Sequence, residues 1–294
     1  MSKACLKSRS EFLRVRDLRH HVRRWGDADG AKLVLLHGWL DVSASFQELV
    51  AALIGGQTQS WQVLAPDLRG FGYTEWPQEG YWFQDYLGDL DGLLDHYVPN
   101  EPVVLVGHSM GAQIASLYAG LRPERVSRLI LLDPPALPDM APERAPKRYR
   151  SWLDHLRAPP SPNTYGSYDD LAQRIRYQHA KLGPEQAQFI AHCWGRIDGD
   201  GTVSLRADPR HWQRGPALYR SAESEAIWRE IIAPTLFLDG EHSKIGDAVS
   251  AGERARRRAC FRNRREVVVP DAGHMLHFDA PLATAAAITA FLNR

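Results

Sequence analysis

A chain of 294 residues that is 44% hydrophobic and 24% charged has the composition of a folded globular protein, which excludes a disordered or collagen-like chain. Its 36 Lys+Arg against 35 Asp+Glu leave a net charge of +1, so no general pull toward nucleic acid or an anionic membrane is expected. No apolar run approaches the roughly 18–20 residues needed to span a bilayer, and the first dozen residues lack the apolar core of a signal peptide. Three cysteines, Cys5, Cys193 and Cys260, cannot all pair and have no metal-ligand spacing. The expectation is a cytoplasmic protein with free thiols, no metal, and no nucleic-acid or membrane partner.

Along the chain, Glu11–Arg16 and Leu18–Trp25 read as a polar pair of strands at an antiparallel edge. Leu33 to Leu36 is a compact aliphatic run of the kind buried in a sheet, ending at His37-Gly38. Phe46, Leu49, Val50 and Leu53 then follow helical spacing until Gly55-Gly56. Trp61 to Ala65 predicts a strand, and Phe83, Tyr86, Leu87, Leu90, Leu94 and Tyr97 a second helix. Val103–Val106, a helix through Ile114, Leu117, Tyr118 and Leu121, and a strand at Arg128–Leu132 complete the first half. Alternating strands and helices predict an α/β fold, with a mostly parallel sheet between helices.

After Leu132 the pattern breaks into a proline-rich stretch that cannot be one long helix. Residues 163–230 are helix-prone but irregular, with Trp152, Trp194, Trp212 and Trp228 in or near them. Strand signals return at Thr235–Leu238 and Val267–Val269, and a helix opened by Pro281 closes the chain. The expected division is a core of residues 1–133 and 234–294, interrupted by an insertion of residues 134–233. The arginines between 254 and 265 read as a solvated helix face.

The chemistry is concentrated in Gly107-His108-Ser109-Met110-Gly111, between a predicted strand and a predicted helix. Glycines at both ends permit a sharp turn that lifts the Ser109 hydroxyl above the sheet, at a helix N-terminus that favours developing negative charge. A serine needs a base. His274, in the loop after the last strand, can swing over the same end of the sheet. His277 reads as its structural neighbour, and His108 should face away from substrate.

With Leu36-His37-Gly38-Trp39, Asp67-Leu68-Arg69-Gly70-Phe71-Gly72, the serine turn and Gly273-His274, the sequence resembles the α/β-hydrolase superfamily from about Lys32 to Phe291. His37-Gly38-Trp39-Leu40-Asp41 and Leu131-Leu132-Asp133 are similar to its serine hydrolase-like group. The resemblance implies that the insertion is a mainly helical cap and that the Trp39 and Met110 backbone amides form an oxyanion hole. It also implies an acid for His274. The superfamily usually places it after the strand at Thr235–Leu238, where this chain has Ser243. Some members carry it at the end of the preceding strand, here Asp133; Glu241, Asp239 and Asp247 stay open as alternatives. Asp41, Asp67 and Arg69 draw attention, and the charges of Asp67-Leu68-Arg69-Gly70 read as structural. The function so implied is a cofactor-free serine hydrolase of a small or medium ester or related carbonyl compound, working through an acyl-enzyme. A carbon–carbon bond hydrolase and a low-turnover small-molecule binding protein are the alternatives. Dehalogenase and epoxide hydrolase chemistry needs a carboxylate where Ser109 stands.

Overall fold

The computed structural model describes residues 6–55, 59–213 and 215–294, so Cys5 and Gly56 lie outside the described residues. The chain begins with β1 (Arg9–Val15), β2 (Leu18–Gly26) and β3 (Ala31–Leu36), followed by α1 (Gln47–Gly55) and β4 (Trp61–Pro66). Next come α2 (Phe83–Tyr97), β5 (Val103–His108), α3 (Met110–Leu121) and β6 (Val126–Leu132). A long excursion carries α4 (Ala145–Arg157), β7 (Thr164–Tyr165), α5 (Tyr168–Gln178), α6 (Pro184–Trp194), β8 (Gly195–Ile197), β9 (Val203–Leu205) and α7 (Ser221–Trp228). The chain returns to the core with β10 (Thr235–Gly240), α8 (Ala251–Arg258), β11 (Arg264–Val269), α9 (Leu276–Asp279) and α10 (Pro281–Leu292).

Eight strands form one sheet in the order β1-β2-β4-β3-β5-β6-β10-β11. The β1–β2 and β2–β4 pairs are antiparallel, and every pair from β4 across to β11 is parallel. This is the α/β-hydrolase fold expected from the sequence. The aliphatic runs work because a parallel strand is buried on both faces. Along β5, Val103 and Leu105 enter one apolar cluster while Val104 and Val106 enter the other. Leu129 and Leu131 of β6 likewise part from Ile130 and Leu132. The first cluster takes in Leu90 and Leu94 of α2 and Ile114 and Tyr118 of α3; the second takes in Leu49, Val50 and Leu53 of α1 and Ile288 and Phe291 of α10.

The excursion between β6 and β10 is mainly helical, with one addition. Besides its helices it holds a three-stranded sheet, β7-β9-β8, of strands two or three residues long. Runs that short carry no detectable period. Its own apolar cluster joins Leu171, Ile175 and Ile190 to Phe278, which lies beyond His274 in the chain. The segment is also tied down by polar contacts. Trp194 Nε1 donates to Asp41 Oδ1 at 2.9 Å, and Tyr81 Oη donates to Asp208 at 2.8 Å.

The arginine run is not merely a solvated face. Arg257 is buried and pairs with Glu253, Arg258 joins Asp239 at 2.7 Å and Glu266 at 2.8 Å, and Arg256 meets Glu225 at 2.6 Å. Among the described residues no helix is long and apolar enough to cross a membrane.

A buried polar frame holds the loops at the carboxyl end of the sheet. Arg69 grips Asp89 through two parallel hydrogen bonds of 2.6 Å. Asp67 accepts from Ser43 N at 2.7 Å, from His21 Nδ1 at 2.7 Å and from Tyr73 N at 2.9 Å. Burial works to raise the proton affinity of Asp67, but the His21 hydrogen bond and surrounding donors more than offset it, holding the carboxyl well below the usual range. A carboxyl depressed in this way stabilises the fold above its unfolded value of about 3.9 and loses that contribution as pH falls through its folded value. Asp67→Asn turns an amide toward the donors of His21 and Tyr73. It should cost about 3 kcal/mol in urea unfolding at neutral pH. The gap to the parent protein should narrow as the pH is taken below about 4.

Candidate active site

Parallel pairing sets the site, because it brings the carboxyl ends of β5, β6, β10 and β11 side by side. Ser109 follows β5 directly with φ 51° and ψ −115°, a left-handed conformation that costs a non-glycine residue on the order of 1–3 kcal/mol. The turn is held open by its glycines. A Cβ on Gly111 would sit 2.2 Å from the carbonyl oxygen of Leu36, and one on Gly107 would sit 2.2 Å from that of Gly111. Ser109 caps α3, its carbonyl accepting from Ala112 N at 3.0 Å and Gln113 N at 3.2 Å, and its own N–H is anchored to Leu132 O at 3.0 Å.

His274 reaches Ser109 from the loop between β11 and α9. Its Nε2 lies 2.9 Å from Ser109 Oγ, and its Nδ1 lies 2.6 Å from Asp133 Oδ2. A carboxylate can only accept, so Nδ1 carries the proton and Nε2 presents its lone pair to the serine hydroxyl. The loop is fixed from behind. His108 Nε2 donates to the carbonyl of His274 at 2.8 Å, and Gly273 N donates to Asp279 at 2.8 Å. Burial pushes the His108 ring far toward its neutral form, so its one N–H, on Nε2, serves as a fixed donor to that carbonyl.

Asp133 is buried at the end of β6 with φ 46°, a conformation that Asp tolerates better than most residues. Its N–H donates to Leu238 O at 2.7 Å, and its Oδ1 accepts from Gly240 N at 3.2 Å. Its Oδ2 accepts from His274 Nδ1 and from the hydroxyl of Ser243. Among the described residues Asp133 is the carboxylate that meets His274. Glu241 is exposed and accepts from Asp271 N at 2.9 Å. Asp239 is engaged by Arg258, and Asp247 stands 3.7 Å from Arg254.

The loop after β3 presses against the serine turn. A Cβ on Gly38 would lie 3.2 Å from Ser109 Cβ and 2.9 Å from His108 Nδ1. The next residue, Trp39, sits in this approach, while Met110 N–H belongs to the first turn of α3, whose amides have no partner within the helix. The Trp39 indole is half exposed and meets Trp212 of the excursion edge-on at 5.6 Å.

Asp41, His108 and His277 form a buried group whose ligand-capable atoms lie within 4.8 Å of one another; the exposed Glu241, His242 and Asp271 form another. In the buried group Asp41 already accepts from Val42 N, Ser45 Oγ and Trp194 Nε1, and His277 Nε2 stands 3.3 Å from its second oxygen. Burial alone would raise the Asp41 carboxyl, but the His277 side chain and the neighbouring imidazoles outweigh it and bring it down to about 2. The chemistry of these donors is that of a hydrogen-bonded support under the serine turn. Sequence reasoning noted Asp41 without assigning it a role or finding its partners, and it gave Ser243 no role. The only signal for Ser243 was its place where a relative would carry the acid.

Residues 33–287 match the model of the alpha/beta hydrolase family. The chain is 24% identical over 288 residues to the human serine hydrolase-like protein 2, covering 92% of this chain and 90% of that protein. It is 26% identical over 287 residues to a 2-(acetamidomethylene)succinate hydrolase of Mesorhizobium japonicum, covering 93% and 91%. Among solved structures it is similar to the thioesterase domain from the curacin biosynthetic pathway, with a TM-score of 0.86, 24% identity, and 96% and 99% of the two chains covered. With Ser109 on its strained turn and a family model matched over most of its length, this chain belongs to the alpha/beta hydrolase family.

Proposed function

We propose that this hydrolase cleaves a small or medium ester, or a related carbonyl compound, through an acyl-enzyme on Ser109. The observation that carries the reading is the hydrogen-bonded series Ser109 Oγ–His274 Nε2 at 2.9 Å and His274 Nδ1–Asp133 Oδ2 at 2.6 Å. Ser109 Oγ attacks the carbonyl carbon while its proton passes to Nε2. Negative charge gathers on the carbonyl oxygen, facing the N–H groups of Trp39 and Met110. Each such donor contributes on the order of 100–1000-fold in rate. Collapse expels the leaving group with the proton from Nε2. A water molecule then attacks the acyl carbon, gives its proton to Nε2, and releases the acid while Ser109 regains its own proton. Throughout, Asp133 keeps the proton on Nδ1 and stabilises the imidazolium.

Residues 134–233 serve in this reading as a cap over the serine, and the Trp194–Asp41 hydrogen bond and Trp39–Trp212 contact support that role. A cytoplasmic location agrees with Cys193 and Cys260, which stand as free thiols. The likeness to the 2-(acetamidomethylene)succinate hydrolase favours a second substrate class on the same residues, a small carbonyl compound bearing acid groups.

Ser109→Ala should lower ester turnover on the order of 10⁴-fold or more. Full activity in that variant would remove Ser109 from the chemistry. A substrate panel that sets simple esters of increasing acyl length against acid-bearing carbonyl compounds separates the two classes by kcat/KM.

A further inference from the structure

We infer that Ser243 is a positioning residue for the reaction, holding Asp133 in the orientation that serves His274. The inference rests on the proposed Ser109–His274–Asp133 chemistry and assigns a role to a side chain outside it. Ser243 lies in the turn after β10, where its hydroxyl donates to Asp133 Oδ2, the same oxygen that receives His274 Nδ1. The hydroxyl is itself located by its turn, since Ser243 N donates to Gly240 O at 3.0 Å and Ile245 N donates to Ser243 Oγ at 3.3 Å. The Ser243 lone pairs are thereby turned toward the backbone and its proton toward the carboxylate.

Asp133 needs such a tether. Its β6 neighbour pairs fix the backbone, but the carboxylate ends at a crevice of about 430 Å³ also lined by Asp239, Glu241, Arg254 and Arg258. Of its two oxygens, Oδ1 accepts from Gly240 N at 3.2 Å, while Oδ2 faces both His274 and Ser243. On the other side of the imidazole lie His108, with ring centroids 4.8 Å apart, and beyond it His277 and Asp41. Without the Ser243 hydroxyl, rotation of the carboxylate toward the crevice would release Nδ1–H. The hydroxyl also shares the charge on Oδ2.

The test is steady-state kinetics of Ser243→Ala and Ser243→Thr on a chromogenic ester, with Ser109→Ala alongside. Ser243→Ala should lower kcat roughly ten-fold with KM little changed, the scale set by one hydrogen bond to a charged group. Ser243→Thr retains the hydroxyl and, with the crevice to receive its methyl group, should restore kcat to near the parental value. A purely structural role would lower the yield of folded enzyme and leave kcat per folded active site at the parental value, which overturns the inference, as does a Ser243→Thr enzyme no better than Ser243→Ala. If Ser109→Ala abolishes turnover while Ser243→Ala is silent, the inference fails alone; if Ser109→Ala is fully active, the nucleophile assignment itself fails.

Discussion

The five residues from Gly107 to Gly111 turn the chain from a buried strand into a buried helix within one sharp bend, and the rest of the site is arranged around that bend. Ser109 is forced to positive φ because β5 and α3 pack too closely for a wider turn. The strain is offset by α3, ten of whose twelve residues are buried, and by the anchoring of Ser109 N to the end of β6. A side chain held there has no choice about where it points. Asp133, one strand over and also at positive φ, is constrained in the same manner.

Beneath the reacting groups lies a layer of buried polar residues that carry no chemistry in the proposed reaction but fix its geometry. His108 holds the His274 loop by its carbonyl, and Asp41 ties the loop after β3 to Trp194 of the excursion. Asp67 and Arg69 do the same for the loops after β4. Burying so many charged groups is costly unless each is paired. The pairing is dense here, which explains how loops can be rigid enough to hold 2.6–2.9 Å contacts between residues 141 and 165 positions apart.

The core was legible because both-face burial of parallel strands writes itself as aliphatic runs, and Ser109 because a strand, two glycines and a helix leave a local pattern. His274 was legible from its loop. Asp133 could be named but not separated from Glu241, Asp239 and Asp247, since a carboxylate is distinguished by what it touches. Its partners Gly240 and Ser243 lie 107 and 110 residues away. The short strands β7, β8 and β9 and the pairing of the arginine run escaped for the same reason: each is decided by contacts across the fold rather than by spacing along the chain.

In the proposed reaction His274 makes the Ser109 hydroxyl reactive. Labelling with a fluorophosphonate, followed by peptide mass mapping, tests it most directly. One label per chain is expected, on Ser109, formed far more slowly in His274→Ala. Folded parent protein that takes up no label, or a His274→Ala variant labelled as fast as the parent, would contradict it.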